Sequence, residues 1–220
     1  MGFLTSRTNT YGLKGRPLRL LITITAVTGF SLFGYDQGLM AGIITGEKFN
    51  DEFPGTDARI PGNEYHATVI QGAVTSCYEL GCFFGAILAL LRGERIGRRP
   101  VMITGSLIII IGTIISVTAF KHSWGLGHFI IGRVITGFGN GMNTATIPVW
   151  QSELSNAQKR GLLVTLEGAV VAFGTFIAYW LDFGLSYTTN SIQWRLPVAV
   201  QIVFALVLFI GALNLPDSPH

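Results

Sequence analysis

The sequence predicts an all-α membrane protein with six transmembrane helices. Apolar residues make up 49% of the 220 residues and charged residues only 12%, whereas a soluble domain usually has about 25% charged residues. The apolar residues form long runs separated by polar breaks, and roughly 20 apolar residues in a helix can cross a bilayer. The charged residues lie mostly at the ends of these runs, where the loops of a membrane protein begin. Membrane topology therefore accounts for the net charge of +3, and we expect no nucleic-acid partner.

Six apolar runs are long enough to be spans, and short polar segments connect them. The predicted spans are residues 20–44, 69–91, 100–120, 126–150, 162–179 and 196–215. The breaks are an acidic loop at 47–64 with two prolines, a tight basic turn at 92–99, and polar connections at 121–125, 152–161 and 184–195.

The basic residues predict the orientation of the bundle. With the N-terminus in the cytoplasm, ten of the fifteen Lys and Arg residues lie inside, four lie outside, and Arg133 lies within a span. Cytoplasmic loops of membrane proteins carry an excess of Lys and Arg. We therefore expect residues 1–19 to be a cytoplasmic N-terminal segment and residues 20–215 to form the transmembrane bundle.

Asp36 is the most informative residue of the first span. It is the only charged residue between Arg19 and Glu47. An acid at the centre of a membrane helix costs about 2.5–3.5 kcal/mol on insertion scales. A cost of this size indicates a proton or cation site that faces the interior of the bundle.

Arg133 is the expected partner of Asp36, because it is the only basic residue inside a predicted span. At about 1.5 Å per helical residue, Asp36 lies about 12 Å and Arg133 about 10 Å from the outer ends of their spans. Charges inside a membrane pair with each other or face water. We expect an ion pair; the alternative is that each charge reaches the outer interface independently.

The other polar and small residues in the spans have plainer interpretations. Glu79 is central in the second span and is expected to form a hydrogen bond between helices. Gly137 and Gly141 have the small-x-x-x-small spacing that lets membrane helices approach closely. Cys77 and Cys82 are expected to be small apolar residues, and neither a disulfide nor a metal site is predicted.

Several motifs, in order along the chain, carry a resemblance to a known family. They are Phe33-Gly-Tyr-Asp-Gln-Gly38, Gly-Glu-Arg-Ile-Gly-Arg-Arg at 93–99, Gly132-Arg133, Pro148-Val-Trp-Gln-Ser-Glu153 with Arg160-Gly161, and Leu215-Pro-Asp-Ser-Pro219. Together they resemble the sugar porters of the major facilitator superfamily. The segments at 28–40, 75–82 and 178–187 are similar to the fungal glycerol/proton symporter branch.

The resemblance implies a twelve-helix transporter in which two six-helix halves hold the substrate between them. This chain resembles the N-terminal half only, so the implied partner is a C-terminal six-helix half that the chain does not include. Residues 216–220 would begin the cytoplasmic linker between the halves. The protein would lie in the plasma membrane, and it would be either part of a longer transporter or an inert fragment.

The resemblance also implies roles for individual residues. Two positions depart from the family, which places sugar-binding Gln residues where Gly168 and Thr175 stand. Because a hexose needs many buried hydrogen-bonding partners, their absence favours a small polyol such as glycerol. The predicted solute-binding residues of this half are Phe33, Gln37, Glu167, Gly168 and Thr175.

The predicted cytoplasmic gate is a set of charged residues that would hold the outward-open state. Its members are Glu94, Arg95, Arg98, Arg99, Glu153 and Arg160. The family usually has Asp where Glu94 stands, and Glu keeps that charge.

These observations predict proton-coupled symport of a small neutral polyol or sugar, with Asp36 and Arg133 as the proton-coupling pair. Protonation of Asp36 would release Arg133 and permit alternating access. The alternatives are a hexose symporter, a facilitator of the same fold, and a solute sensor that does not transport. No cofactor is expected and an enzyme is not predicted, because the sequence has no nucleophile–base pair, metal cluster or phosphate-binding loop.

Overall fold

A computed structural model describes residues 16–120, 125–153 and 160–214, which form seven α-helices. In order they are α1 (Arg16–Thr45), α2 (Glu47–Glu52), α3 (Glu64–Ile96), α4 (Arg98–Val117), α5 (Leu126–Glu153), α6 (Arg160–Ser186) and α7 (Ile192–Asn214). Six are long, as predicted, and each predicted span lies largely within one of them. The side chains of residues 16–19, 94, 160 and 162–164 lie outside the described part.

Two predicted connections differ from the structure. The predicted loop at 47–64 contains α2 and a 3₁₀ turn at Pro54–Thr56. Phe49 and Phe53 are buried there, because their rings pack edge-to-face on Trp194 at centroid distances of 5.7 and 5.9 Å. The predicted turn at 92–99 is almost wholly helical: only Gly97 separates α3 from α4, at a φ of 98° that favours glycine.

The long helices form one bundle in which α1 and α5 lie innermost. Helix α5 packs against both α3 and α4, α1 packs against α6 and α7, and α4 also packs on α7. Gly141 allows the close approach of α5 and α3, since a Cβ at this position would lie 2.6 Å from the carbonyl carbon of Cys82. The spacing of Gly137 and Gly141 therefore brings two helices into backbone contact.

Four of the long helices are long and apolar enough to cross a membrane on length and composition alone. They are the segments Glu64–Gly93, Arg98–Val117, Thr165–Ser186 and Ile192–Asn214. Helices α1 and α5 are of similar length, at 30 and 28 residues, but polar residues interrupt the middle of their apolar runs. Asp36, Arg133 and Asn140 are among these residues, and all three are buried.

Candidate proton and solute site

Asp36 lies on α1 where that helix is enclosed by its neighbours. On one side Gly34 brings α1 against α6, because a Cβ at this position would lie 2.9 Å from the Cα of Val171. Asp36 is two residues further along, so its side chain points to a different side of α1. There it reaches α3, α5 and α7, and only 1% of the residue is exposed.

Four groups donate hydrogen bonds to the Asp36 carboxylate. Oδ1 accepts from Arg133 NH1 on α5 at 3.2 Å and from Gln201 Nε2 on α7. Oδ2 accepts from the Tyr78 hydroxyl on α3 at 3.2 Å and from Asn140 Nδ2 on α5 at 3.1 Å. Three helices therefore converge on one carboxylate carried by a fourth.

The donors are themselves held in place by further contacts. Asn140 Nδ2 also donates to the Tyr78 hydroxyl at 2.6 Å, and Gln201 Oε1 accepts from Thr113 at 3.3 Å. The Arg133 guanidinium carbon lies 4.4 Å from the centroid of the Tyr78 ring, a cation–π geometry. Within the described residues, Arg133 Nε and Asn140 Oδ1 have no hydrogen-bond partner.

The Asp36 and Arg133 charges at this centre compensate each other and are shielded from solvent. The side chains of Asp36 and Arg133 are 0% and 1% exposed. Two charges removed from water are stable only when their geometry is good and their remaining hydrogen-bonding positions are filled. Four donors meet that condition for the carboxylate, so a proton added to Asp36 would disturb contacts to three helices together.

The structure thus brings Asp36 and Arg133 together, and it adds three residues that the sequence analysis did not select: Tyr78, Asn140 and Gln201. A signal was present for two of them. Asn140 is seven residues after Arg133, which places it on the same helical face two turns later. Gln201 is an amide inside a predicted apolar span, where polar residues are uncommon.

Gln37 and Glu79 lie beside this centre on the exposed side of the half-bundle. Gln37 Nε2 donates to Glu79 Oε1 at 2.6 Å, which links α1 to α3. Glu79 therefore makes a hydrogen bond between helices, as its central position in the second span predicts. Phe33, one turn before Gln37, is half-buried on the same helix.

The three predicted solute-binding residues of α6 are in different environments. Glu167 is half-buried and lines a crevice with Phe30 and Gln151. Gly168 is exposed, and a Cβ there would meet no atom within 4 Å. The Thr175 hydroxyl donates to the Gly34 carbonyl oxygen at 2.8 Å and is engaged in the contact between α6 and α1, so its role toward a solute stays a prediction.

Part of the predicted cytoplasmic gate forms direct contacts. Arg98 NH2 lies 3.5 Å from Glu153 Oε1, which ties the start of α4 to the end of α5. Arg99 Nε donates to the Ala212 carbonyl oxygen at 2.9 Å, and its NH2 donates to that of Leu213. Arg95 is exposed. The side chains of the other two members, Glu94 and Arg160, lie outside the described residues.

A six-helix bundle built around a buried, compensated ion pair is the architecture of one half of a membrane transporter, and comparison with known proteins identifies the family. The family described as sugar (and other) transporter matches residues 21–220. The chain belongs to this family, which is an integral membrane family of the major facilitator fold.

Individual relatives agree with this assignment. The chain is 62% identical over 219 residues to the sugar transporter STL1 of Saccharomyces cerevisiae, covering 100% of this chain and 38% of the relative. It is 56% identical over 215 residues to the major facilitator superfamily transporter mfsA of Aspergillus fumigatus, covering 96% of this chain and 40% of the relative. The chain thus spans less than half the length of both and corresponds to their N-terminal half.

A solved structure supports the fold. The proton:xylose symporter XylE bound to 6-bromo-6-deoxy-D-glucose aligns with a TM-score of 0.80 at 24% identity. The alignment covers 94% of this chain and 46% of that structure. The bundle described above is therefore the fold of half of a major facilitator transporter.

Proposed function

We propose that this chain forms the N-terminal half of a proton-coupled symporter that takes up a small polyol, with glycerol as the leading substrate. The observation that carries the proposal is the buried Asp36 carboxylate with its four donors. The N-terminus is in the cytoplasm, the membrane is the plasma membrane, and a C-terminal six-helix half completes the central site between the two halves.

Proton coupling follows from the way Asp36 holds the helices together. Burial favours the neutral acid and Arg133 favours the carboxylate, so the two effects oppose each other while the pair is closed. A proton on Asp36 removes the attraction for the guanidinium and one acceptor position. Contacts from α3, α5 and α7 to α1 then weaken together, which is a direct route from protonation to helix movement.

The membrane potential supplies the energy for accumulation. One positive charge that crosses the membrane inward gains about 2.3 kcal/mol per 100 mV. Because a gain of about 1.4 kcal/mol is a tenfold ratio, one proton per solute can concentrate a neutral polyol many-fold. The solute itself needs no charge and the site needs no counter-ion for it.

The choice of a polyol rests on the polar groups that this half offers to a solute. Gly168 provides open space without a hydrogen-bonding group, and the Thr175 hydroxyl is engaged with α1. Glu167 and the Gln37 carbonyl oxygen bind solute hydroxyls, while Gln37 Nε2 donates to Glu79 and Phe33 packs against the carbon skeleton. A hexose leaves more hydroxyls unmatched here than glycerol does, and each unmatched buried group costs about 1–3 kcal/mol.

The cytoplasmic contacts act as a gate in this scheme. The pair Arg98–Glu153 and the bonds from Arg99 to the end of α7 fasten three helices at their inner ends. They hold the inner side of the half-bundle closed, together with Glu94, Arg95 and Arg160. Opening to the cytoplasm requires these contacts to break.

Transport by a complete twelve-helix protein tests the proposal. The chain would be joined to the C-terminal half of STL1, chosen for its 62% identity to this chain; we call the product the joined transporter. It would be expressed in yeast that lacks glycerol uptake, and uptake of radiolabelled glycerol and glucose would be measured with and without a protonophore. We expect glycerol to accumulate above its external concentration and the protonophore to abolish the accumulation.

Three other results would contradict parts of this proposal. Equilibration without accumulation would identify a facilitator. Glucose uptake that saturates at a lower concentration than glycerol uptake would identify a hexose transporter. Membrane-inserted protein that neither accumulates nor exchanges either solute would identify a sensor or an inert fragment. The joined transporter with Arg59→Gln, a change in the outer loop, is the matched control for expression and insertion.

A further inference from the structure

Glu79 is an exposed carboxylate at the middle of a membrane-spanning helix. It lies halfway along the apolar segment Glu64–Gly93 of α3. An acid that faces lipid at this depth is costly, so acids inside spans face the interior of a bundle or a water-filled cavity. Because Glu79 is not enclosed by the half-bundle, the side of α3 that carries it must lie next to water.

The residues that precede Glu79 on the same side of α3 are also polar. Thr68, Thr75 and Ser76 lie 11, 4 and 3 residues before it, which places all four on one helical face. All three are exposed. Phe83, four residues after Glu79, is exposed and apolar. The polar face of α3 therefore begins near the start of the helix and ends at Glu79.

A single hydrogen bond orients the Glu79 carboxylate. Gln37 Nε2 on α1 donates to Glu79 Oε1 at 2.6 Å, and Gln37 is exposed as well. Among the described residues, neither Glu79 Oε2 nor the Gln37 carbonyl oxygen accepts a hydrogen bond. Each of these two open oxygens shares a carbon with an atom of the 2.6 Å contact, so both lie within reach of one small solute.

The contact between Gln37 and Glu79 lies directly beside the Asp36 centre. Gln37 follows Asp36 on α1, and Glu79 follows Tyr78 on α3. The Tyr78 hydroxyl donates to Asp36 at 3.2 Å, so one buried contact and one exposed contact join the same two helices. A solute bound at the exposed contact is therefore one residue away from the Asp36 network on both helices.

The two open oxygens determine the class of solute that fits. A carboxylate oxygen and an amide carbonyl oxygen only accept hydrogen bonds, so the matching solute brings at least two donors. A neutral polyol does this with two hydroxyls, whereas an alcohol with one hydroxyl leaves one oxygen unmatched. A hydroxy acid has the hydroxyls, but its own carboxylate is repelled by Glu79.

We propose that Glu79 is a solute-binding residue of the central site, where Glu79 Oε2 and the Gln37 carbonyl oxygen accept from two hydroxyls of one neutral polyol. The hydrogen bond between the two residues orients both acceptors. The charge of Glu79 selects the neutral polyol against a hydroxy acid of the same length. The identity of the solute rests on the proposed function, but both binding residues belong to this chain.

Exchange of labelled glycerol by the joined transporter tests this site. Proteoliposomes loaded with unlabelled glycerol would take up the label in the presence of a protonophore, so the rate does not depend on proton coupling. Glu79→Gln keeps an acceptor for Gln37 Nε2 but loses the charge, and we expect it to raise the half-saturating glycerol concentration about fivefold. With the parent protein, 1,2-propanediol should compete with glycerol and 1-propanol should not.

Two further measurements separate solute binding from a purely structural role. The free energy of unfolding of Glu79→Gln, measured by SDS titration in mixed micelles, should equal that of the parent because the contact between α1 and α3 is kept. Glycerate, the hydroxy acid of the same length as glycerol, should compete poorly with the parent and better with Glu79→Gln. Glu64→Gln makes the same chemical change at an exposed acid at the start of α3, and it should change none of these quantities.

Several results would overturn the role of Glu79. They are an unchanged half-saturating concentration in Glu79→Gln, a change that appears together with lost stability, equal competition by glycerate in both proteins, and stronger competition by the cation ethanolamine than by 1,2-propanediol. The proposed function is tested separately by accumulation. A parent that exchanges glycerol without accumulating it, with a raised half-saturating concentration in Glu79→Gln, would refute the symporter and keep this site. Accumulation with an unchanged concentration in Glu79→Gln would do the reverse, and a parent that exchanges no glycerol would overturn both.

Discussion

Two aspartates of the bundle, one on α1 and one on α6, differ in how their buried carboxylates are compensated. Asp36 on α1 has four donors from three other helices, whereas Asp182 on α6 has none within the described residues. A buried charge must be compensated by the protein, by a ligand or by a proton. The contrast indicates that Asp36 is held in a closed network that a proton can break, whereas the buried oxygens of Asp182 are left without compensation by the described residues.

The largest effect is expected when the Asp36 network loses its cation. Arg133→Met leaves a buried carboxylate without its charged partner, which typically costs about 3–5 kcal/mol of folding stability. The free energy of unfolding can be measured by SDS titration in mixed micelles. The double variant with Asp36→Asn should recover part of the loss, and a single-variant loss under about 1 kcal/mol would contradict a dry ion pair.

A smaller loss is expected from an uncharged donor of the same network. Gln201→Leu removes one hydrogen bond to the carboxylate and leaves the Thr113 hydroxyl without its acceptor. Hydrogen bonds to charged groups contribute about 1.5–3 kcal/mol, so the same titration should show a loss in this range. An unchanged stability would show that α7 is not fastened to Asp36.

The other aspartate should respond in the opposite direction. Asp182→Leu replaces a buried carboxylate, which has no donor among the described residues, with an apolar side chain of similar size. This should stabilise the chain by about 1 kcal/mol. Glu64→Leu is the control for loss of an exposed acid and should change stability by less than about 0.5 kcal/mol. Destabilisation by Asp182→Leu would mean that the folded chain does satisfy this carboxylate.

The smallest effect is expected for the surface pair Arg59 and Asp57, which lies between α2 and α3. Hydrogen bonds from the Arg59 side chain and backbone, 2.9 Å from Asp57 Oδ1, hold the pKa of Asp57 below its ordinary value. A lowered folded-state pKa adds stability above the unfolded pKa of about 4, and this is lost as the pH falls through the folded value. Arg59→Gln should therefore lower the stability of the chain by a small amount that is constant from about pH 5 to 8 and disappears as the pH falls below about 4. A pH-dependent difference in that range, measured by the same titration, would show that another group titrates against Arg59.

Much of the fold could be predicted because membrane spans are encoded by local composition. The six runs predicted six long helices, and Asp36 and Arg133 stood out because each charge was isolated in apolar sequence. Equal depth from the outer surface was enough to pair them. The helix ends could not be predicted as well: α3 begins at Glu64 and not at 69, because a helix continues beyond the membrane where polar residues also favour it.

The parts that could not be predicted depend on contacts between distant segments. Tyr78 and Gln201 are 42 and 165 residues from Asp36 in sequence. The amide of Gln201 in an apolar span indicates a buried polar residue, but neither sequence position indicates Asp36 as the partner. Thr175 is a further example, because its hydroxyl donates to the Gly34 carbonyl oxygen, a contact that its place in the sequence did not indicate. The packing of Phe49 on Trp194 is likewise a contact between distant segments, and Phe49 lies in helix α2 where the sequence predicts a loop.

The central claim, that Asp36 couples proton movement to polyol movement, can be tested by measuring protons directly. The joined transporter would be reconstituted in proteoliposomes with a pH-sensitive dye inside, and an inward glycerol gradient would be imposed without a pH gradient. We predict that glycerol acidifies the lumen with the parent protein, and that Asp36→Asn abolishes this acidification while labelled glycerol still exchanges. Acidification by Asp36→Asn at the parent rate would contradict the account and move the proton site to another carboxylate, Glu79 or Glu167.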